Sequence, residues 1–252
     1  MRRYSSSPYG SSFSFGPGPL STTMKALIGA NVALFVAKIV PIFADYSTLY
    51  LSLRPALVVR YLWVWQLATY MFVHAGIFHI LFNMLALWMF GTELEHIWGS
   101  RYFLKFYFVT GIGAAVLTVL FSLLPFDFAR QLYGAAIIGA SGAIYGLLLA
   151  YGLYFPDRPI YMYFVFPIPA KVFVLIMGAI AFFASMSESG GGIANATHLS
   201  GLAVGYGFLK CAQVHPMAEL KYRYNKWKLN RVRKKFDVYS GGRADDWDHK
   251  VH

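Results

Sequence analysis

The chain has 252 residues, of which 58% are hydrophobic and only 13% charged. An average soluble domain carries about 25% charged residues, so the composition argues against a soluble enzyme or a charged binding module and for a membrane protein. The formal net charge is +11 and there is one cysteine, Cys211, which excludes an internal disulfide and a cysteine-built metal site.

In chain order, residues 1–23 are rich in Ser, Gly and Pro and lack the apolar core of a cleavable signal peptide. They are expected to be a disordered tail. Apolar runs then recur at 24–43, 72–90, 102–125, 134–155, 170–186 and 193–212. Each approaches the roughly 17–25 residues of a spanning helix. The pattern predicts an all-α membrane protein, a six-transmembrane-helix bundle occupying residues 24–212. The fourth and sixth runs are short and glycine-rich, and a Ser/Gly-rich turn, Ser185 to Gly192, separates the fifth from the sixth.

Between the first two runs, Tyr50 to Tyr70 carries Trp63 and Trp65 beside Arg54 and Arg60. This reads as an interfacial first outer loop whose rings sit at headgroup level. Residues 213–252 form a basic tail containing KYRYNKWKLNRVRKK, Lys221 to Lys235. Next to a last span, such alternation of bases with aromatics suits anionic lipid headgroups or solvent better than nucleic acid. With six spans and both termini inside, most of the 22 Lys and Arg fall on the inner side, among them Arg101, Lys105, Arg158 and Lys171. Arg54, Arg60 and Arg130 fall outside, and Lys38 within the first span. The tail decides this bias, which places both termini in the cytoplasm. The N-terminus lacks the Arg-rich amphipathic character of a mitochondrial presequence, so a bacterial inner membrane is expected.

Two polar residues stand out within the apolar runs. Ser141 lies in GASGAIYGLLLAYGL and His198 in ANATHLSGLAVGYGF. An ionisable group at membrane depth costs roughly 2.5 kcal/mol or more when charged, so its presence suggests a function. A serine and a histidine on separate spans are the parts of a nucleophile and its base. Gly139 and Gly142 flank Ser141 and let backbone or ligand approach, and its amide near a helix N-terminus would suit an oxyanion. Tyr145 follows at i+4 on the same face. His198 shares a face with Gly201 and Gly205, so its ring would point into protein. The plainer reading is also open: small residues form a packing face, the serine bonds backbone, and the histidine is a satisfied core residue.

The second run contains HAGIFHILFNM, with His79 and Asn83 at i and i+4. An amide and an imidazole N–H are side-chain donors suited to an oxyanion. His74 would lie about 140° around such a helix from His79. A zinc site from His74, His79 and His198 is the weaker reading, because HExxH and a nearby carboxylate are both missing. No metal or other cofactor is expected. Glu93 and Glu95 in FGTELEHIWGS are expected to cap or to pair with Arg101, and His96 to be solvated.

Together these segments resemble the rhomboid family of intramembrane serine proteases, over about Met24 to Cys211. HAGIFHILFNM is similar to the family's second-span motif, FGTELEHIWGS to the loop motif that follows, GASGAIYG to the nucleophile motif and NATHLSGLAVG to the histidine motif. The resemblance implies that Ser141 is the nucleophile and His198 the base of a dyad without aspartate. It further implies His79, Asn83 and the Ser141 amide as oxyanion donors, and Tyr145 as a ring stacked on the imidazole. It makes His74 a polar position near the active-site water, and Gly201 and Gly205 close-packing glycines. The substrates it implies are transmembrane proteins, cleaved within or near the bilayer. One departure is visible: Trp65-Gln66 stands where many members carry Trp-Arg, which puts the anchoring of the first outer loop in question. The alternative is a non-catalytic membrane protein that binds or escorts other transmembrane segments.

Overall fold

A computed structural model describes residues 17–162, 166–185 and 192–213. The expected basic tail beyond residue 213, most of the N-terminal tail and the turn at 186–191 lie outside the described residues. The chain divides into two units, Met1–Leu209 and Lys210–His252.

Helix α1, Thr22–Ala37, starts where Ser21 Oγ accepts the Met24 N–H at 3.0 Å, a cap worth about 1 kcal/mol. It stops short of the predicted 43 because Pro41 disfavours helical backbone at Val40, which has ψ 116. Three short helices follow: α2, Pro41–Tyr50, α3, Pro55–Tyr61, and α4, Gln66–Thr69, which runs into a 3-10 turn at Tyr70–Phe72. Proline at the first position of α2 and α3 sets φ for the helix without losing a needed N–H. The rings of Tyr46, Tyr50, Trp63 and Trp65 stack in series at 4.2, 5.2 and 5.3 Å.

The second apolar run departs from its expected limits at both ends. Helix α5, Ile77–Ala86, a π turn at Leu87–Gly91 and α6, Thr92–Trp98, form one continuous 22-residue helix. His74 therefore precedes the helix, and its expected helical angle to His79 does not apply. FGTELEHIW, expected as loop, is helical up to Gly99, where φ is +74. Both carboxylates of this segment have partners. Buried Glu95 accepts from Ser21 Oγ at 2.6 Å and from Ser100 Oγ at 2.5 Å. Glu93 pairs with Arg158, not with Arg101.

Helix α7, Ser100–Ser122, is 23 residues long. Helix α8, Asp127–Gly134, occupies a stretch expected as a connection; Asp127 and Arg130 form an ion pair one turn apart, and Ala129 and Leu132 are buried. Helix α9, Ser141–Tyr154, begins later than the predicted 134 because residues 135–140 are not helical: Ala135 is extended, Ile137 bridges to Leu53 and Gly139 has φ +112. A two-stranded antiparallel ribbon, β1 Pro159–Met162 and β2 Phe166–Pro169, corrects the all-α expectation. Three prolines hid it from the sequence, yet each strand is an edge, where a missing N–H is tolerated. Helices α10, Ala170–Ser185, and α11, Gly192–Gln213, complete the described fold.

Ile77–Trp98 and Ser100–Ser122 are long and apolar enough to cross a membrane, while α1, α9 and α10 are shorter apolar helices. Outward-facing side chains such as Ile42, Phe78, Leu175 and Phe183 are at least 69% exposed. Helix α9 is the innermost element, with Gly142 through Leu148 buried. Gly146 is against Thr110 of α7, where a Cβ would lie 2.2 Å from Thr110 Cγ2. On another side α9 meets α11 backbone to backbone. A Cβ at Gly201 would lie 2.0 Å from Gly142 O, and one at Gly205 would lie 3.0 Å from Gly146 Cα. Small-xxx-small faces on both helices permit this approach.

That crossing predicts a ranking of glycine substitutions within α11. Gly201→Ala must push the helices apart and is expected to lower the melting temperature in detergent clearly. Gly207→Ala, with nothing within 4 Å of the new methyl group, is expected to leave it unchanged or raise it. Equal melting temperatures for the two variants would show that the close crossing is not maintained.

Candidate active site

The α9–α11 crossing sets two side chains facing each other. Ser141 is the first residue of α9 and His198 lies in α11, three residues before Gly201. His198 Nε2 and Ser141 Oγ are hydrogen-bonded at 2.8 Å. The other ring nitrogen, Nδ1, is 3.2 Å from Asn195 Oδ1. An oxygen acceptor at Nδ1 selects the tautomer with its proton there, leaving the Nε2 lone pair to accept the serine hydroxyl. Tyr145, one turn along α9, lies flat on the imidazole, with ring centres 4.3 Å apart and planes 7° apart. The ring thus has restraints at both nitrogens and on one face.

The turn before Ser141 is fixed by backbone. Leu53 and Ile137 exchange two backbone hydrogen bonds, 2.9 Å from Leu53 N and 2.8 Å from Ile137 N. Gly139 N–H donates to Tyr70 O at 2.9 Å. Gly139 has φ +112, backbone that only glycine adopts readily. The first helical bond to close is Ile144 N–H to Ala140 O, at 3.1 Å. The amides of Ser141, Gly142 and Ala143 therefore lie at the positive end of the helix, ahead of any carbonyl one turn below.

His79 approaches the same turn from α5. A Cβ at Gly139 would lie 2.7 Å from His79 Nε2 and 3.7 Å from Ser141 Oγ. His79 Nδ1 accepts the Ala75 N–H at 3.3 Å, which puts the ring proton on Nε2, on the side facing Gly139. Asn83, one turn further along α5, donates through Nδ2 to His79 O at 2.7 Å, and its buried Oδ1 has no hydrogen-bond partner among the described residues. No hydrogen bond joins Asn83 to Ser141. His74, fully buried, packs edge-on to His79 with ring centres 5.0 Å apart, and Lys38 Nζ holds the His74 carbonyl at 2.8 Å. The structure thus gathers Ser141, His198, Tyr145, Gly139 and His79 at one point. His74 flanks them, Gly142, Gly201 and Gly205 form the crossing beneath, and Asn83 stands one turn away.

Asn195 was missed from the sequence. It lies three residues before His198 on the same helix, and that i, i+3 spacing of an amide and an imidazole was the available signal. Gln66 was misjudged. It is fully buried, and its Oε1 accepts the Arg54 N–H at 3.0 Å while Nε2 donates to Leu49 O and Tyr50 O at 3.2 and 3.4 Å. Trp65 Nε1 also donates to Tyr50 O, at 2.9 Å. The loop whose anchoring was in question is anchored by Gln66 itself.

A hydrogen-bonded serine and histidine between apolar helices, with two helices long enough to cross a membrane, point to a class of helical membrane protein. The family within that class is given by comparison: the sequence model described as Rhomboid domain matches residues 62–212, and the chain belongs to the rhomboid family. Among its relatives, Rhomboid protein 1, mitochondrial, of Saccharomyces cerevisiae is 33% identical over 181 residues, 71% of this chain and 50% of that protein. Rhomboid protease GluP of Bacillus subtilis is 34% identical over 142 residues, 56% of this chain and 25% of that one. Rhomboid protease GlpG of Serratia proteamaculans is 29% identical over 192 residues, 75% of this chain and 60% of that one. The chain thus spans half or less of the length of the first two.

The restraint at His198 Nδ1 generates a test. Asn195→Ala removes the acceptor that selects the tautomer, so labelling of Ser141 by a serine-directed fluorophosphonate is expected to slow several-fold, with the folded state retained. Labelling at the wild-type rate would show that Tyr145 and helix packing suffice to hold the ring.

Proposed function

We propose that this protein is an intramembrane serine endopeptidase that cleaves transmembrane proteins through a dyad of Ser141 and His198. The observation that carries the proposal is the 2.8 Å hydrogen bond between Ser141 Oγ and His198 Nε2 at the N-terminus of an apolar helix. Its companions are the stacked Tyr145 and the neighbouring His79. Family membership and relatives named as rhomboid proteases support the same reading.

In this mechanism Ser141 Oγ attacks the scissile carbonyl while His198 Nε2 takes its proton. Negative charge builds on the substrate oxygen, where the Ser141 amide, His79 Nε2–H and the Asn83 amide donate hydrogen bonds. The tetrahedral adduct collapses as His198 returns the proton to the leaving amine, freeing one product and leaving an ester on Ser141. Water, deprotonated by the same imidazole, then hydrolyses the ester. Buried His74 Nε2 and Asn83 Oδ1 have no protein partner among the described residues. Such atoms cost about 1–3 kcal/mol each, which suits groups kept for water or substrate.

The proposed setting is a six-span bundle of residues 24–212. In it α1, the α5–α6 helix, α7, α9, α10 and α11 cross the bilayer, and the stacked aromatics of residues 46–65 rest at its surface. Both termini share one side, the tail 213–252 contacts lipid, and the membrane is a bacterial inner membrane. Helix α9, at 1.5 Å per residue, is only about 21 Å long against a hydrocarbon core of about 30 Å. Ser141 at its N-terminus therefore sits below the surface, and water reaches it through a cavity lined by protein, where irregular backbone is tolerated. Substrate helices must unwind to expose a carbonyl, so helix-breaking residues near the cut favour cleavage.

The purified protein in detergent, with a single-span substrate, tests the proposal. Ser141→Ala and His198→Ala are expected to abolish cleavage with the fold intact. His79→Ala and Asn83→Ala should lower turnover, with a smaller change in apparent substrate binding, because their contacts form mainly in the transition state. Excess EDTA should change nothing, since both ring nitrogens of His198 are already engaged by Ser141 and Asn195. Cleavage retained by Ser141→Ala would remove the nucleophile assignment, and zinc-restorable loss would move the chemistry to a metal.

A further inference from the structure

Outside the dyad, the buried amide of Gln66 stands at the foot of both backbone clasps that shape the turn before Ser141. The first clasp runs through the loop. Gln66 Oε1 holds Arg54 N–H and Nε2 holds Leu49 O and Tyr50 O, so the amide bridges the two sides of the segment Ser52–Leu53. Leu53 is the residue that pairs with Ile137. The second clasp runs through α4. Gln66 is the first residue of that helix, which leads directly into Tyr70, whose carbonyl accepts the Gly139 N–H. Thr69, on the last residue of α4, adds a bond from Oγ1 to Leu51 O at 2.8 Å. Ile137 and Gly139 are four and two residues before Ser141.

We propose that Gln66 is a positioning residue for the reaction, acting through Leu53–Ile137 and Tyr70–Gly139 to hold the Ile137–Ala140 backbone that presents the Ser141 hydroxyl and amide. It touches no reacting atom. Its carboxamide is suited to this place because it needs both an acceptor for Arg54 N–H and a donor for two carbonyls. An aliphatic side chain offers neither, and a carboxylate offers only the first. Without the amide, the Arg54 N–H and the Leu49 carbonyl lose a partner in a partly buried place, and the Tyr50 carbonyl keeps only Trp65 Nε1. The segment must then shift to satisfy them, and Ile137 shifts with it.

The proposal rests on the protease reading, and the experiment separates the two. Wild type, Ser141→Ala, Gln66→Leu and Gln66→Glu are compared in detergent well below their melting temperatures. Two readouts are taken: kcat and KM on a transmembrane substrate, and the rate of Ser141 labelling by a small fluorophosphonate, which needs no docked helix. A displacement of the turn by an ångström lowers rates on the order of 10- to 100-fold. Gln66→Leu is expected to lose that much in both kcat and labelling, with KM within about twofold of wild type. Gln66→Glu, which keeps the acceptor for Arg54 N–H, should fall between Leu and wild type. If Gln66→Leu does not fold, Gln66→Glu alone decides, because it has lost the donor to Leu49 O and Tyr50 O. Labelling at the wild-type rate in the folded variant, or a rise in KM alone, overturns the proposal by reducing Gln66 to a loop anchor. A wild-type protein that neither cleaves nor labels overturns the protease reading instead.

Discussion

The site depends on one close approach, the contact of α9 and α11 at Gly142 and Gly201. With no room for a single methyl group between Gly201 and the Gly142 carbonyl, the two helices cross at a separation that backbone alone fixes. Ser141 is one residue before Gly142, and His198 is one turn before Gly201. Their hydrogen bond is thus a consequence of the crossing rather than its cause. A bilayer offers helices little hydrophobic gain from associating, so van der Waals packing of small residues must supply the specificity. The repetition at Gly146 and Gly205 extends the contact by a second turn and fixes the crossing angle as well as its depth.

The rest of the site reaches Ser141 by independent routes. Tyr70 and Leu53 hold the preceding turn by backbone hydrogen bonds, and Lys38 and Ala75 hold the start of α5 from which His79 projects. Polar side chains elsewhere in the bundle mostly satisfy themselves on their own helices. Asn31 donates to Leu27 O, Thr118 to Ala114 O and Ser122 to Val119 O. Thr118 also reaches Thr197 of α11 at 3.1 Å. Asn31 Oδ1, like His74 Nε2 and Asn83 Oδ1, keeps no hydrogen-bond partner among the described residues, but of the three only His74 and Asn83 lie beside the proposed chemistry.

How much of this was legible in the sequence follows from the range of each signal. The apolar runs revealed the long helices, and the paired residues with small neighbours, Ser141 with Gly142 and His198 with Gly201, revealed the crossing. Those signals are local and periodic. Helix ends were misplaced where the deciding contact is distant: Ile137 is extended because Leu53, 84 positions earlier, pairs with it. FGTELEHIW looked like a loop because its carboxylates have partners far away, Ser21 for Glu95 and Arg158 for Glu93. The proline-rich ribbon at 159–169 violates strand propensity and is tolerated only because both strands are edges. Gln66 looked like a defect because the role of an amide with three partners depends on where those partners stand.

The short α9 helix ties these observations to depth. A helix long enough to span would bring its N-terminus to the surface, where water competes for every donor at Ser141. At 14 residues, with Gly142 to Leu148 buried, its N-terminal amides in the proposed setting end inside the bundle instead, in a surrounding of lower dielectric where aligned dipoles would act more strongly on the charge that the proposed reaction develops. The connection leading to Ser141 is not helical, so its backbone groups need partners that lipid does not supply. The loop containing Leu53 and the 3-10 turn ending α4 supply them, through Ile137 and Gly139. A segment lying between α1 and α5 is thereby drawn into the architecture of the turn before Ser141, and the residues that hold that segment in shape become part of what positions Ser141.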